Sequence, residues 1–240
     1  IPRIDFNTRA DWQTEHVAVK AEFPVAIQSA RATYEIQFGA VERPATFNNS
    51  WETAKFEVCA HKYADYSEYG YGVSILNDCK YGHDIHDGVI RLTLLKCPTY
   101  PNPDSDKGEH VFSYALMPHL GDYREAGVVG EAYAFNAPIR AMKIGKQEGN
   151  LPECFSLIVA DNRSVVIDTV KESEDGTGIV VRCFEAFGAQ TAANFRTGMR
   201  YRKVLLCNLM ENEKDEICGE ADSFCHKFHP YEICTFKLIL

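Results

Sequence analysis

The sequence predicts an all-β protein: a large antiparallel β-sandwich followed by a smaller C-terminal β-sandwich. Three observations carry this. The dominant hydrophobic period is two. Aromatic residues make up 12% of the chain, and they favour strands. Strand-like runs recur with Gly, Pro, Asn and Asp clusters between them, the layout of a sandwich. No amphipathic helix longer than about three turns passes the period-3.6 test. The 240 residues suit one or two domains, and 45% hydrophobic with 25% charged residues is ordinary for a globular chain.

Taken in order, Val17, Val19, Ala21 and Phe23 share one face, with His16, Lys20 and Glu22 on the other. Tyr34, Ile36 and Phe38 then alternate with Glu35 and Gln37, and Phe112, Tyr114 and Leu116 repeat the pattern. Each is a half-buried strand. Cys97 to Gly108, with three prolines, reads as a long non-strand crossing. The best helical candidate is short, around Gly130 to Phe135. Gly145, Gly149, Asn150 and Pro152 mark a break, so the domains are expected at 1–150 and 151–240. Beyond the break, Phe155 to Ala160, Ser164 to Lys171 and Ile179 to Phe187 read as a meander, with turn formers from Glu174 to Gly178.

Charge and cysteine content narrow the function. With 25 basic and 34 acidic side chains the net charge is −9. An acidic surface repels phosphate backbones, so nucleic acid is not an expected partner. No apolar run approaches the roughly 20 residues that cross a bilayer, so neither is a membrane. The start at Ile1-Pro2-Arg3 lacks both Met and the layout of a signal peptide; a processed, trimmed or partial chain is expected. Nine cysteines cannot all pair, and several sit in apolar runs, such as Cys183 and Cys207. A reducing cytoplasm is the expected compartment.

The densest polar stretch is Tyr69 to Asp87, where the apolar run Val73 to Leu76 leads into Asn77, Asp78, Lys80, Tyr81, His83, Asp84, His86 and Asp87. Carboxylates and amides that bind vicinal hydroxyls, beside a tyrosine ring face, suit sugar recognition. On residue types alone the plainer reading, a solvated hairpin, comes first. His83 and His86, and separately Cys218, Cys225, His226, His229 and Cys234, offer zinc donors. Their spacings match no standard ligand pairs, and Cys225 and His226 on one strand point to opposite faces. No metal ligand is therefore assigned. His61 with Lys62 follows an apolar strand, and Glu109, His110 and His119 are equally ambiguous between structure and function. No nucleophile elbow, phosphate-cradling loop or His-Glu-x-x-His pattern occurs.

The strings themselves carry a resemblance. Val41 to His119, including NDCKYG at Asn77 to Gly82, resembles the C-terminal region of glycoside hydrolase family 38 α-mannosidases, most of all their cytosolic and bacterial branch. IDFNTRADWQTEH (Ile4 to His16), ATYEIQFG (Ala32 to Gly39), GDYREAGVV (Gly121 to Val129), EDGTGIVVRCFEAFG (Glu174 to Gly188) and PYEICTFKL (Pro230 to Leu238) extend it over essentially the whole chain. Two departures are Thr46-Phe47-Asn48 and Met117.

The resemblance implies a piece of a retaining exo-α-mannosidase: part of a large super-sandwich, entered at a mid-domain strand, then a terminal sandwich. The family's nucleophilic Asp and its His and Asp zinc ligands lie in an N-terminal catalytic domain. No residue here matches them, so no catalytic residue and no cofactor are assigned to this chain; zinc or another divalent metal is expected in that domain. The family's two-carboxylate displacement needs groups about 5 Å apart. The resemblance further implies that Asp78, Lys80 and Tyr81, with His61 and Lys62 behind them, help shape the sugar site. The implied partners are the catalytic domain and a mannose-containing oligosaccharide, with a homo-oligomer left open. A stand-alone carbohydrate-binding module and a purely structural sandwich remain as alternatives.

Overall fold

The computed structural model describes residues 2–150 and 152–240. They form two compact units, Ile1–Ile139 and Arg140–Leu240.

The first unit contains β1 (Ile4–Trp12), β2 (Val19–Pro24), β3 (Arg31–Ile36), β4 (Gly39–Pro44), α1 (Ser50–Thr53), β5 (Val58–Cys59), β6 (Tyr63–Glu68), β7 (Tyr71–Asn77), β8 (Gly82–His86), β9 (Val89–Leu95), β10 (Gly108–Leu120) and α2 (Val128–Asn136). A six-stranded sheet runs β1-β10-β7-β6-β3-β4 and a four-stranded sheet β2-β9-β8-β5, with antiparallel neighbours throughout. Tyr34, Ala64, Tyr66, Val73 and Ile75 from the first sheet meet Ile85, Ile90 and Leu92 from the second in one core. Period-two patterning thus buries one face of each sheet against the other.

The second unit contains β11 (Ile158–Ala160), β12 (Val165–Glu172), β13 (Gly178–Glu185), β14 (Thr191–Thr197), β15 (Lys203–Cys207), β16 (Glu213–Ile217), β17 (Ser223–Phe228) and β18 (Ile233–Ile239). Its three-stranded sheet is β11-β14-β17 and its five-stranded sheet β12-β13-β18-β15-β16. Phe195, Phe224 and Phe228 from the smaller sheet pack on Phe236 of the larger, with ring centroids 5.4, 5.1 and 6.4 Å away. Residues 140–150 are exposed and belong to no helix or strand. Among the described residues no helix is long and apolar enough to cross a membrane.

Three local expectations are corrected. The meander from Phe155 is broken, because β11 pairs with β14 and only β12 and β13 are neighbours. The Asp161 carboxylate takes the backbone and side-chain N–H of Asn194 at 2.8 and 2.7 Å, which holds the end of β11 to the smaller sheet. His83 to His86 are a buried strand rather than a polar loop. Asp84 is tolerated there because Lys20 and Arg91 reach it at 2.7 and 2.9 Å. Glu35, expected on a solvated face, is only 4% exposed.

Candidate functional site

The loop from β7 to β8 is fixed by its first residue. Asn77 is fully buried. Its side-chain oxygen accepts the Lys80 N–H, three residues on, at 2.7 Å and so closes the loop. Its amide donates to the His61 carbonyl at 2.6 Å, and its own carbonyl accepts from Asn136 of α2 at 3.0 Å. One side chain therefore links the two stretches singled out in the sequence, His61-Lys62 and Asn77 to Gly82.

Lys62 and His61 are held from below by Glu35. The Lys62 ammonium lies 2.9 Å from one Glu35 oxygen, and the Lys62 backbone N–H donates to the other at 2.7 Å. The ammonium also sits 4.4 Å over the Tyr133 ring. His61 Nδ1 is 3.9 Å from Glu35, and its ring meets Tyr81 edge-on at 5.2 Å. Tyr81 is 47% exposed. His61 and Tyr81 thus make an aromatic rim whose supports are buried and charged.

Asp78 and Lys80 turn the other way, to β10. Asp78 accepts the Ser113 N–H at 2.9 Å, while its own N–H donates to the Ser113 carbonyl at 3.2 Å. Its second carboxylate oxygen, Oδ1, is enclosed without a partner among the described residues. Lys80 lies 4.6 Å over the Phe112 ring. Cys79 is exposed in the loop; partial desolvation, helped by Asp78, raises its thiol to about 11. The loop lines neither of two cavities of about 890 and 750 Å³.

The other histidines fall to structure. Asp65, Ser74 and His119 are the residue types of a nucleophilic triad, but Ser74 Oγ and His119 Nε2 both converge on one Asp65 oxygen, at 2.6 and 2.8 Å. Asp65 is 2% exposed and Ser74 fully buried, so no substrate reaches them. A Cβ on Gly72 would lie 2.3 Å from the His119 ring, so only glycine admits it. Burial pulls the His119 imidazole down, but Asp65 more than offsets this and holds it above its ordinary value. His110 bonds the Asp106 carbonyl at 2.9 Å and Glu109 pairs with Arg9 at 2.8 Å, both on the surface. His83 faces the core, whereas His86 stacks under Phe47 at 4.0 Å.

Sequence reasoning missed Glu35, because its partner Lys62 is 27 residues away and alternation alone assigns it to solvent. It also missed that His226, Glu232 and Cys234 converge, with donor atoms all within 4.8 Å of one another. Cys218, Cys225 and His229 are not in that group.

Comparison with known proteins bears on the family and the fold. Residues 1–104 match the model of the glycosyl hydrolases family 38 C-terminal domain, and residues 164–236 that of the family 38 C-terminal beta sandwich domain. Alpha-mannosidase G of Dictyostelium discoideum is 36% identical over 99% of this chain and 22% of its own length. Alpha-mannosidase 2C1 of Homo sapiens is 35% identical over 100% of this chain and 23% of its own length. The chain therefore spans less than a quarter of these relatives. The crystal structure of an alpha-mannosidase from Enterococcus faecalis V583 superposes with a TM-score of 0.84 at 22% identity, over 98% of this chain and 27% of that one. Two all-β units, each in register with a domain of one family, place this chain in glycoside hydrolase family 38, as its C-terminal region.

Proposed function

We propose that the chain is the non-nucleophile-bearing C-terminal part of a retaining exo-α-mannosidase, and that the Asn77 to Gly82 loop completes a sugar site built mainly by the catalytic domain. The observation that carries this is the His61–Tyr81 rim: the exposed Tyr81 ring against the part-buried His61, which the buried Asn77 and Glu35 hold in place. A rim that lines neither of those two cavities suits a contributor to a site better than a complete site. The relatives named as alpha-mannosidases support the activity. In this reading Tyr81 offers a ring face to the pyranose, Lys80 a charge, and His61 a polar edge. Asp78 and Lys62 position the loop through Ser113 and Glu35.

The proposed partners are the catalytic domain and a mannose-containing oligosaccharide, in a reducing cytoplasm. The functional regions are 1–150 and 151–240. Zinc, or another divalent ion, belongs to the catalytic domain. None of this chain's residues matches its ligands.

The test is kcat/KM of Lys80→Ala and Tyr81→Ala in the full-length protein, with melting temperatures alongside. A lost charge-assisted contact made in the transition state lowers kcat/KM by roughly 30- to 1,000-fold, or about 2–4 kcal/mol, with the fold intact. Unchanged kinetics in both would sink the site role and leave a structural sandwich. Mannose binding by the separated chain would instead favour a stand-alone module.

A further inference from the structure

We propose that His226, Glu232 and Cys234 form a binding site for a divalent, thiolate-accepting cation of the zinc type, which clasps the two sheets of the second unit. The three residues come from β17, from β18 and from the turn that joins them. On β17 the alternation turns Phe224, His226 and Phe228 to the interior and leaves Cys225 and Lys227 outside. On β18, in the facing sheet, Cys234, Phe236 and Leu238 point inward. His226 Nε2 and Cys234 Sγ therefore meet across the gap at 3.4 Å. Glu232 lies just before β18, in the turn that its N–H closes onto the His229 carbonyl at 3.1 Å, and its carboxylate falls within 4.8 Å of the other two donors.

Metal geometry fits these separations. With Zn–S near 2.3 Å and Zn–N near 2.0–2.1 Å, a tetrahedron places sulfur and nitrogen about 3.6 Å apart. The observed 3.4 Å is close to that edge. The widest separation among the three donors is within 4.8 Å. With His226 and Cys234 already 3.4 Å apart, any wider gap involves Glu232. The surroundings fix the other two ligands. The His226 ring meets Phe228 and Phe236 edge-on at 4.9 and 5.1 Å, and Cys234 is 2% exposed. Glu232 is held by accepting the His229 N–H at 2.8 Å.

The donor set selects the ion. One sulfur, one imidazole and one carboxylate suit zinc and its first-row neighbours, whereas magnesium and calcium prefer oxygen alone. Water fills the fourth position. On binding, the Cys234 thiol proton leaves to solvent and the sulfur–metal bond forms, while His226 binds as the neutral ring through Nε2. No oxidant or reductant is involved. The role is a staple between sheets: the cation would join β17 to β18 in addition to the turn, the ring packing and the His226–Cys234 contact that already link them.

The test uses the full-length protein, stripped with a chelator and kept reduced so that Cys183, the register partner of Cys234, does not pair with it. Cobalt(II) is titrated in and then displaced with Zn²⁺. The expected result is a saturable thiolate-to-cobalt charge-transfer band. It disappears in Cys234→Ser and persists in Cys225→Ser, whose thiol faces outward. Zinc content in the wild type exceeds that of Cys234→Ser by one ion per chain. Since Cys234→Ser could unfold the sandwich, Glu232→Gln gives a second reading on a partly exposed side chain. It should bind roughly 10-fold more weakly or worse, since even outer-shell partners of a metal carry 10- to 100-fold. A wild-type band equal to that of folded Cys234→Ser, or unaltered affinity in Glu232→Gln, overturns the site.

Discussion

The two units handle their interiors differently. In the first, carboxylates go inside: Asp84 takes Lys20 and Arg91, Asp65 takes Ser74 and His119, and Glu35 takes Lys62. In the second, the centre is a cluster of phenylalanine rings, and the buried charges lie at its margins. Glu185 accepts the N–H groups of Phe187, Gly188, Ala189 and Tyr231 and so closes a turn. Lys237 reaches outward to Asp175 at 2.6 Å. The difference teaches what each interior is for. Apolar packing is non-directional and fixes only the sandwich. Buried ion pairs are directional, and those of the first unit all tie one strand or loop to another at a set position. The first unit is thus built to hold loops in place, and the second to hold two sheets together.

The comparison can be tested where the effect should be largest. Phe236→Ala removes the ring that three others pack on and should destabilise the second unit by about 3–5 kcal/mol. Denaturant unfolding followed by probes in each unit should show that transition move and the first unit's stay. A common shift of both transitions would show that the units do not unfold separately.

Glu35→Gln keeps the shape but weakens the bond to the Lys62 ammonium. Hydrogen bonds to charged groups carry about 1.5–3 kcal/mol, and the first unit should lose an amount in that range. Hydrogen exchange should quicken at residues 60–62 and 77–81 together, since Asn77 couples them. Faster exchange in only one stretch would break that coupling.

Two histidines give the first unit opposite pH dependences. Burial, against a smaller opposing pull from Asp84, holds the His83 imidazole down at about 3. The unfolded chain protonates near pH 6.5, so His83's contribution is complete above that pH. It falls as the pH drops toward about 3, by up to about 1.4 kcal/mol per pH unit. His119 is raised instead. Its contribution is complete below about pH 6.5 and is lost as pH rises through its folded value. Stability measured against pH should lose part of its acid slope in His83→Leu and part of its alkaline slope in His119→Gln. An acid limb unchanged in His83→Leu would remove His83 from the account.

At the smallest end, Arg9 and Glu109 pair at 2.8 Å with side chains 75% and 53% exposed. Arg9→Ala should change stability by no more than about 0.5 kcal/mol, because water and salt screen such pairs. A loss near that of Glu35→Gln would mean that burial does not separate the two classes.

The sequence alone determined the fold class, the short helix near Gly130, the long Cys97 to Gly108 crossing and the membership of the family. These follow from local signals: side-chain period, turn formers, and strings long enough to be matched. The loop residues His61, Lys62, Asp78, Lys80 and Tyr81 were also legible as a group. Their division into an outward rim and inward anchors was not. That division rests on Glu35, Asn77 and Ser113, which arrive from other strands. The same holds for the broken meander at β11 and for the meeting of His226 with Cys234. Alternation says which side of a strand a residue faces, but it does not say which strand lies opposite. Only tertiary structure decides that, because the pairing of strands and the stacking of sheets minimise the free energy of the whole chain rather than of any window within it.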